Sequence, residues 1–99
     1  MIYQIKWEGD APEELFALRV YDQRRIVDEV EKHLLNEPTV AARNRKPMAG
    51  LVPTFFHIPP IWKLRVGEFR VFYDVDEGAQ IVYVRAVRRK APEQTTEDI

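Results

Sequence analysis

Residues 61–90, IWKLRVGEFRVFYDVDEGAQIVYVRAVRRK, constrain the fold of this chain more than any other segment. Runs rich in Val, Phe, Tyr and Ile are separated by Gly67-Glu68 and by an acidic turn at residues 76–79. Such runs favour strands, and glycine beside acidic residues favours tight reversals. The segment therefore predicts three antiparallel strands joined by two hairpins.

The elements before this segment are a strand and two helices. Residues 2–7 alternate in the two-residue period of a strand. Asp10 and Glu13 then have capping-box spacing, and Pro12 fits a first helical turn, so a helix is expected to begin there. Residues 13–36 hold two helical stretches, which we interpret as a helical hairpin.

A proline-rich stretch, residues 38–60, separates the helices from the strands. It contains five of the seven prolines and is expected to be a long loop, functional or merely connecting. The 99 residues are enough for one domain and too few for two. We therefore predict one α+β domain over residues 1–99: a small, antiparallel-dominated four-stranded sheet with an N-terminal helical hairpin packed on one face.

The composition excludes several classes of chemistry. With no cysteine there is no disulfide framework, thiol nucleophile or zinc–cysteine site, and two histidines make a histidine-rich metal site unlikely to form. No stretch approaches the roughly 18 apolar residues that a membrane span requires. We expect a cytoplasmic protein without metal, cofactor or membrane association, and the sequence indicates no oligomeric state.

Charge is segregated along the chain. Residues 1–42 carry five Lys and Arg against nine Asp and Glu, residues 43–90 carry ten against four, and residues 91–99 carry three acidic residues alone. Surface potential is set locally, because charges are screened beyond about 8–10 Å. The net charge of −1 therefore does not exclude a polyanionic partner for the basic segment.

The hairpins predict where these cations lie. A two-residue turn at Gly67-Glu68 places Arg65 opposite Arg70, and the second hairpin is expected to place Arg70 opposite Arg85. One face then holds an apolar set for the helices to cover: Trp62, Leu64, Val66, Phe69, Val71, Tyr73, Val82, Val84 and Ala86. The other face holds Lys63, Arg65, Arg70 and Arg85 with Phe72 and Tyr83 among them, followed by Arg88, Arg89 and Lys90.

Like charges opposite one another on a sheet are destabilising, so folding alone does not explain this face. Arginines interleaved with aromatic rings are typical of surfaces that bind phosphates and stacked bases, and Tyr83 is the candidate for stacking. A solvated face balanced by nearby carboxylates is the alternative. Three loop cations could contact an RNA backbone or be only solvated: Arg43, Arg45 and Lys46.

The same segment carries a family resemblance. WKLRVGEFRVFYDVDEGAQIVYVRAVRRK resembles the RelE/ParE superfamily of bacterial type II toxin–antitoxin toxins, in which a strand with K-L-R-x-G-x-[YF]-R-[VL]-[FI]-Y-x-[VI] precedes an acidic turn and a strand ending in a basic cluster. Residues 43–47, RNRKP, and residues 36–38, NEP, resemble one subgroup of it. The resemblance spans nearly the whole chain.

This resemblance implies a RelE-like toxin that a cognate antitoxin neutralises, and an endoribonuclease that cleaves mRNA on the ribosome by attack of a ribose 2′-hydroxyl on the adjacent phosphate. By position it implies that Lys63 activates the hydroxyl, Arg70 stabilises the transition state and Lys90 assists the leaving oxygen. It also implies that Arg65 contacts the phosphate. The other candidate nucleic-acid contacts come from the hairpin register and the loop described above: Arg85, Arg88, Arg89, Tyr83, Arg43, Arg45 and Lys46.

Two positions depart from the family pattern. Ile61 stands where the family has a second lysine, and residues 93–96, EQTT, contain no counterpart of the base-stacking tyrosine near the carboxyl terminus. Two alternatives therefore stay open: a ParE-like toxin that binds DNA gyrase without cleaving RNA, and a domain that binds only its antitoxin.

Overall fold

The computed structural model describes residues 2–48, 50, 53 and 55–90. In chain order the elements are β1 (Gln4–Trp7), α1 (Ala11–Phe16), α2 (Val20–Leu34), β2 (Arg45–Pro47), β3 (Trp62–Val66), β4 (Phe69–Asp76) and β5 (Ile81–Arg89). The strands form a single mixed sheet in the order β1-β5-β4-β3-β2, in which β1 runs parallel to β5 and the other pairs are antiparallel. No helix in these residues is long and apolar enough to cross a membrane.

The α+β class and the helical hairpin are confirmed, but the number of strands is not. The sheet has five strands instead of four, because Arg45–Pro47 inside the proline-rich stretch pairs with β3. Three residues that end in proline carry almost no strand signal, since proline cannot donate to a ladder. The pairing succeeds because Pro47 lies on an edge strand, where one missing donor is tolerated.

The helices cover one face of the sheet, as predicted. Ile26, Val30 and Leu34 recur at helical spacing along α2 and are fully buried against the strands. Tyr73 lies in this core, where its hydroxyl donates to the Pro38 carbonyl at 2.6 Å. The buried strand residues of this cluster are Trp62, Leu64, Val66, Phe69, Val71, Tyr73, Val82, Val84 and Val87.

The first hairpin has the predicted register. Arg65 is opposite Arg70, with the neighbouring pairs in step. Gly67 adopts a φ of +58° at the turn, a conformation that residues with a Cβ rarely adopt. The guanidinium of the exposed Arg25 lies 2.5 Å from the position that a Cβ would take at Gly67, but this flexible side chain can move aside, so it is the backbone conformation that favours glycine.

The second hairpin departs from the prediction. Asp76 pairs with Ile81, two residues beyond the predicted register, and a β-bulge between Phe72 and Tyr73 shifts it by one more, so that Arg70 is opposite Arg88 and not Arg85. A bulge inserts one unpaired residue, which exchanges the two faces of a strand beyond it. Ala86 therefore leaves the predicted core face, and Val87 takes its place in the core.

The face away from the helices is only partly open. Phe72, expected among the exposed cations, is fully buried in a second small apolar cluster with Met48, Ile61 and Ala86. Met48 and Ile61 flank the proline-rich loop, and Phe55 within the loop packs on the same cluster. The loop thus covers the middle of this face and leaves its ends to polar groups.

Candidate nucleic-acid interface

A cationic cleft of about 250 Å³ lies at one end of the loop-bearing face. The described residues that line it include six cations and one amide, and none of them is a carboxylate. Four sequence segments contribute, so the cleft exists only in the folded domain. Its lining residues are Arg43, Asn44, Lys46, Lys63, Arg65, Arg70 and Lys90.

Backbone pairing brings these side chains together. Lys46 of β2 is directly opposite Lys63 of β3, which puts two like charges in neighbouring strands. The Asn44 carbonyl accepts a hydrogen bond from the Arg65 amide at 2.8 Å. At the far side, the Lys90 amide donates to the Glu68 carbonyl at 2.9 Å, so the end of β5 is held against the first hairpin.

Arg70 is the unusual member of the cleft, because it is buried without a carboxylate. Only 8% of the residue is exposed, and its Nη1 donates to the Gly67 and Phe69 carbonyls at 2.9 Å each. Its Nε is buried without a partner among the described residues. In register it lies between Arg65 and Arg88. Burial, and then the charge of Arg65, lower the pKa of Arg70 from its ordinary value.

Arg85 lies outside this cleft, contrary to the prediction. The bulge moves it away from Arg70, and its Nε and Nη2 donate to the two oxygens of Asp74 at 2.7 and 3.1 Å. Asp74 is fully buried, so the pair neutralises a charge inside the protein. Tyr83 lies beside Arg85, whose guanidinium is over the tyrosine ring at 4.6 Å. The predicted register of Arg85 opposite Arg70 is therefore wrong, and a contact between Arg85 and nucleic acid stays a prediction.

Arg45 is also misassigned as an exposed loop cation. It is 8% exposed and belongs to the helix-facing side, where Nη1 donates to the His33 carbonyl at 3.0 Å and Nε to the Val40 carbonyl at 3.0 Å. His33 in turn has its Nε2 3.0 Å from a Glu29 oxygen and 3.2 Å from the Asn44 amide nitrogen. Arg45 and His33 therefore anchor β2 and the wall of the cleft to the end of α2.

The two arginines after Val87 have local partners. Arg88 forms an ion pair with Glu14 of α1 at 2.6 Å, and Arg89 forms one with Glu68. The Arg89 guanidinium also lies over the Phe69 ring at 4.6 Å. Both remain partly solvent-accessible, and neither lines the cleft. The cleft thus brings together three of the cations predicted to contact nucleic acid, Arg43, Lys46 and Arg65, with the three predicted catalytic residues. Arg88 and Arg89 lie outside it.

Sequence reasoning missed one residue of the cleft and one beside it. Asn44 lines the cleft, and the only sequence signal for it is its position between two arginines. Phe56 is 77% exposed, and the Arg85 guanidinium lies over its ring at 5.1 Å. No sequence pattern marks Phe56, because two adjacent phenylalanines in a proline-rich loop show no periodicity that tells which of them is exposed. The position of the missing tyrosine, residues 93–96, lies outside the described residues.

The arrangement suits an anion and no metal. No group of three or more metal-ligating side chains occurs among the residues that the structure describes. Six cations around one concave space provide several N–H donors for the oxygens of a phosphate, and arginine presents them in a fixed fork. Fold and site together define a small α+β domain with a phosphate-sized cationic cleft.

The sequence comparisons place this domain in a family. The profile described as "ParE toxin of type II toxin-antitoxin system, parDE" matches residues 5–92, almost the whole chain. The chain belongs to this family, within the RelE/ParE superfamily, and is a toxin of a type II toxin–antitoxin system. No curated protein matches its sequence significantly.

Solved structures of RelE toxins have the same fold. The toxin–antitoxin complex RelBE2 from Mycobacterium tuberculosis is 22% identical with a TM-score of 0.66, over 91% of this chain and 100% of that one. The archaeal RelE–RelB complex from Pyrococcus horikoshii OT3 is 18% identical with a TM-score of 0.63, over 93% and 99%. The isolated E. coli RelE toxin is 17% identical with a TM-score of 0.69, over 93% and 88%.

Proposed function

We propose that this toxin is an endoribonuclease that cleaves mRNA, bound in the cationic cleft and presented on the ribosome. The observation that carries the proposal is Arg70, a buried guanidinium with cations and no carboxylate around it among the described residues. A buried charge is costly unless it is paired, so folding alone does not account for Arg70. A bound phosphodiester would supply the missing negative charge.

Hydrogen bonding leaves part of Arg70 available for such a ligand. Its Nη1 is occupied by two backbone carbonyls, which fix the plane of the guanidinium. Among the described residues Nη2 has no hydrogen-bond acceptor, so it remains as a donor for a phosphate oxygen, whereas Nε is buried and would become accessible only if the side chain shifted. Donors held in place before the substrate arrives stabilise a transition state without the cost of reorganisation.

The proposed reaction is an internal transfer of the phosphate. The 2′-oxygen attacks the adjacent phosphorus while Lys63 receives the hydroxyl proton, and the bond from phosphorus to the 5′-oxygen breaks. Lys90 gives a proton to that leaving oxygen, Arg65 contacts the phosphate, and Arg70 stabilises the additional negative charge. The products are a 2′,3′-cyclic phosphate and a 5′-hydroxyl, and no water or metal is consumed.

The first test is cleavage by the full chain and by matched arginine variants. Arg70→Met removes the charge but keeps an apolar stem of similar length, and we expect cleavage to slow by about 100- to 1000-fold. Arg24→Met is the control, because Arg24 is an exposed arginine of α2 outside the cleft. Transcript ends are mapped with and without ribosomes, which also shows whether cleavage requires the ribosome.

The chemistry has its own control. An mRNA with a single 2′-deoxy residue at the cleavage site has no attacking hydroxyl, so it should resist cleavage at that position only. Equal rates for Arg70→Met and the wild type, or cleavage at the 2′-deoxy position, would overturn the proposal.

We also propose a cognate antitoxin as the partner that neutralises this toxin. The support is that two of the similar structures are complexes of RelE-type toxins with antitoxins. Rescue of growth by co-expression of the antitoxin, with a stable complex on gel filtration, is the expected result. Growth arrest that this partner does not relieve would contradict it.

A second function, inhibition of DNA gyrase, is favoured by the family match itself. The matching description names ParE toxins of parDE systems. Inhibition of purified gyrase by the full chain, with mRNA left intact, would select this function over RNA cleavage. In that case Arg70→Met need not affect gyrase inhibition.

A further inference from the structure

Phe56 is placed in a way that folding does not require. It is a large aromatic residue at 77% exposure, so its position gains little from burial. One face of its ring meets the Arg85 guanidinium, 5.1 Å from the ring centroid. The same guanidinium lies over the Tyr83 ring at 4.6 Å, so two aromatic rings contact one cation.

The support below Phe56 is rigid. Arg85 is the residue that the β-bulge leaves unpaired, and bulges frequently redirect a side chain beside a functional site. One edge of the Arg85 guanidinium donates to both oxygens of the buried Asp74, and this fixes the orientation of the guanidinium. Asp74 thereby neutralises the charge of Arg85 but leaves the faces of the guanidinium to the two rings.

This cluster lies on the same face of the sheet as the cationic cleft. Arg70 and Asp74 are four residues apart on β4 and share a side of the strand, which corresponds to about 13 Å. Phe72 lies between them beneath the loop that carries Phe56. An RNA strand with one phosphate in the cleft could therefore reach Phe56 across the loop with a nearby nucleotide.

We propose that Phe56, supported by Arg85 and Tyr83, is a stacking platform for one unpaired base of the RNA whose backbone occupies the cleft. The proposal rests on the proposed ribonuclease function and adds a binding residue to it. Stacking of a base on an aromatic side chain is tolerant of sequence, because every base has a π-face. The platform would thus set the position of the strand without selecting its sequence.

The test measures binding of short single-stranded RNA to the full chain by fluorescence anisotropy. The RNA carries 2′-O-methyl groups, which prevent cleavage, and a second series carries one abasic site at each position in turn. Phe56→Leu keeps an apolar side chain but removes the ring, and we expect binding to weaken by about 5- to 100-fold. Phe56→Trp should bind at least as tightly as the wild type.

Phe16→Leu is the matched control, because Phe16 is 72% exposed on α1, away from this cluster. It should leave binding unchanged. An abasic site at the stacking position should weaken the wild type by the same factor as Phe56→Leu, and should weaken Phe56→Leu no further. This loss of additivity identifies stacking, which a mere loop anchor would not produce.

The outcomes separate this proposal from the function on which it rests. Unchanged binding by Phe56→Leu, while Arg70→Met weakens binding, would overturn the stacking platform alone. An abasic penalty of equal size in the wild type and in Phe56→Leu would overturn it too. No binding of RNA by the wild type would overturn the stacking platform, whereas the ribonuclease function is decided separately, by the mapping of transcript ends with and without ribosomes.

Discussion

Two largely buried arginines on the loop-bearing face are expected to affect stability to very different degrees. Arg85 is bound by both oxygens of the fully buried Asp74, whereas Arg70 is surrounded by cations and backbone carbonyls. Replacing each with methionine removes the charge and keeps the stem. The two variants therefore compare a paired with an unpaired buried cation in the same sheet.

The structure sets the magnitudes. Arg85→Met leaves the Asp74 carboxylate buried without its partner, which costs about 3–5 kcal/mol. For a domain of this size that is a fall in Tm of about 12–40 °C. Arg70→Met loses two hydrogen bonds of about 0.5–1.5 kcal/mol each. It also relieves repulsion with Arg65 and Arg88, up to about 1 kcal/mol per pair, so its net loss of stability should stay below about 3 kcal/mol.

Urea unfolding followed by circular dichroism at pH 7 measures both effects. Arg24→Met is the exposed control, and its free energy of unfolding should change by almost nothing. The double variant Asp74→Asn with Arg85→Met should recover part of the loss, because it removes the buried charge as well. The reasoning is refuted if Arg70→Met loses as much stability as Arg85→Met. A loss below about 1 kcal/mol for Arg85→Met would refute it equally.

Two further predictions concern single side chains of the fold. Burial raises the pKa of Tyr73 well above its ordinary value of 10.0. Above about pH 10 the unfolded chain therefore releases a proton that the native state keeps. The free energy of unfolding then falls by about 1.4 kcal/mol per pH unit. Tyr73→Phe should lower the free energy of unfolding by about 1–3 kcal/mol at neutral pH, because the Pro38 carbonyl loses its donor. Above about pH 10, however, the stability of the variant should fall less steeply with pH than that of the wild type. Parallel declines of Tm in both proteins at alkaline pH would contradict this. Gly67→Ala should lower the free energy of unfolding in urea by about 1–2 kcal/mol, because alanine is strained at a φ of +58° and its Cβ displaces Arg25. An unchanged free energy of unfolding would show that the turn readjusts.

The two hairpins show what the sequence could determine about the fold. Between Val66 and Phe69 only two residues remain for the turn, so the register follows from the loop length alone, and it is correct. In the second hairpin Asp76 pairs with Ile81, two residues beyond the predicted register, and the bulge at Phe72 has no sequence signal of its own. A bulge is a response to packing on both faces of a sheet, which a period-two pattern cannot express.

The candidate site was predictable to the same extent. Lys63, Arg65 and Arg70 follow from the first hairpin and lie together in the cleft. Arg45 and Arg85 look like exposed cations in the sequence, but each finds buried acceptors that only the tertiary structure supplies. Local sequence predicts which side a strand residue faces, and the partners beyond the strand decide whether its charge is available.

The position of β5 in the sheet bears on when a ribosome can release an active toxin. The first strand made, β1, pairs only with β5, the last strand made, and Lys90 joins the cleft just after β5 ends. Pairing between such distant segments forms late, because most of the chain must be present first. A nascent chain therefore lacks both the completed sheet and the completed cleft until translation has passed β5.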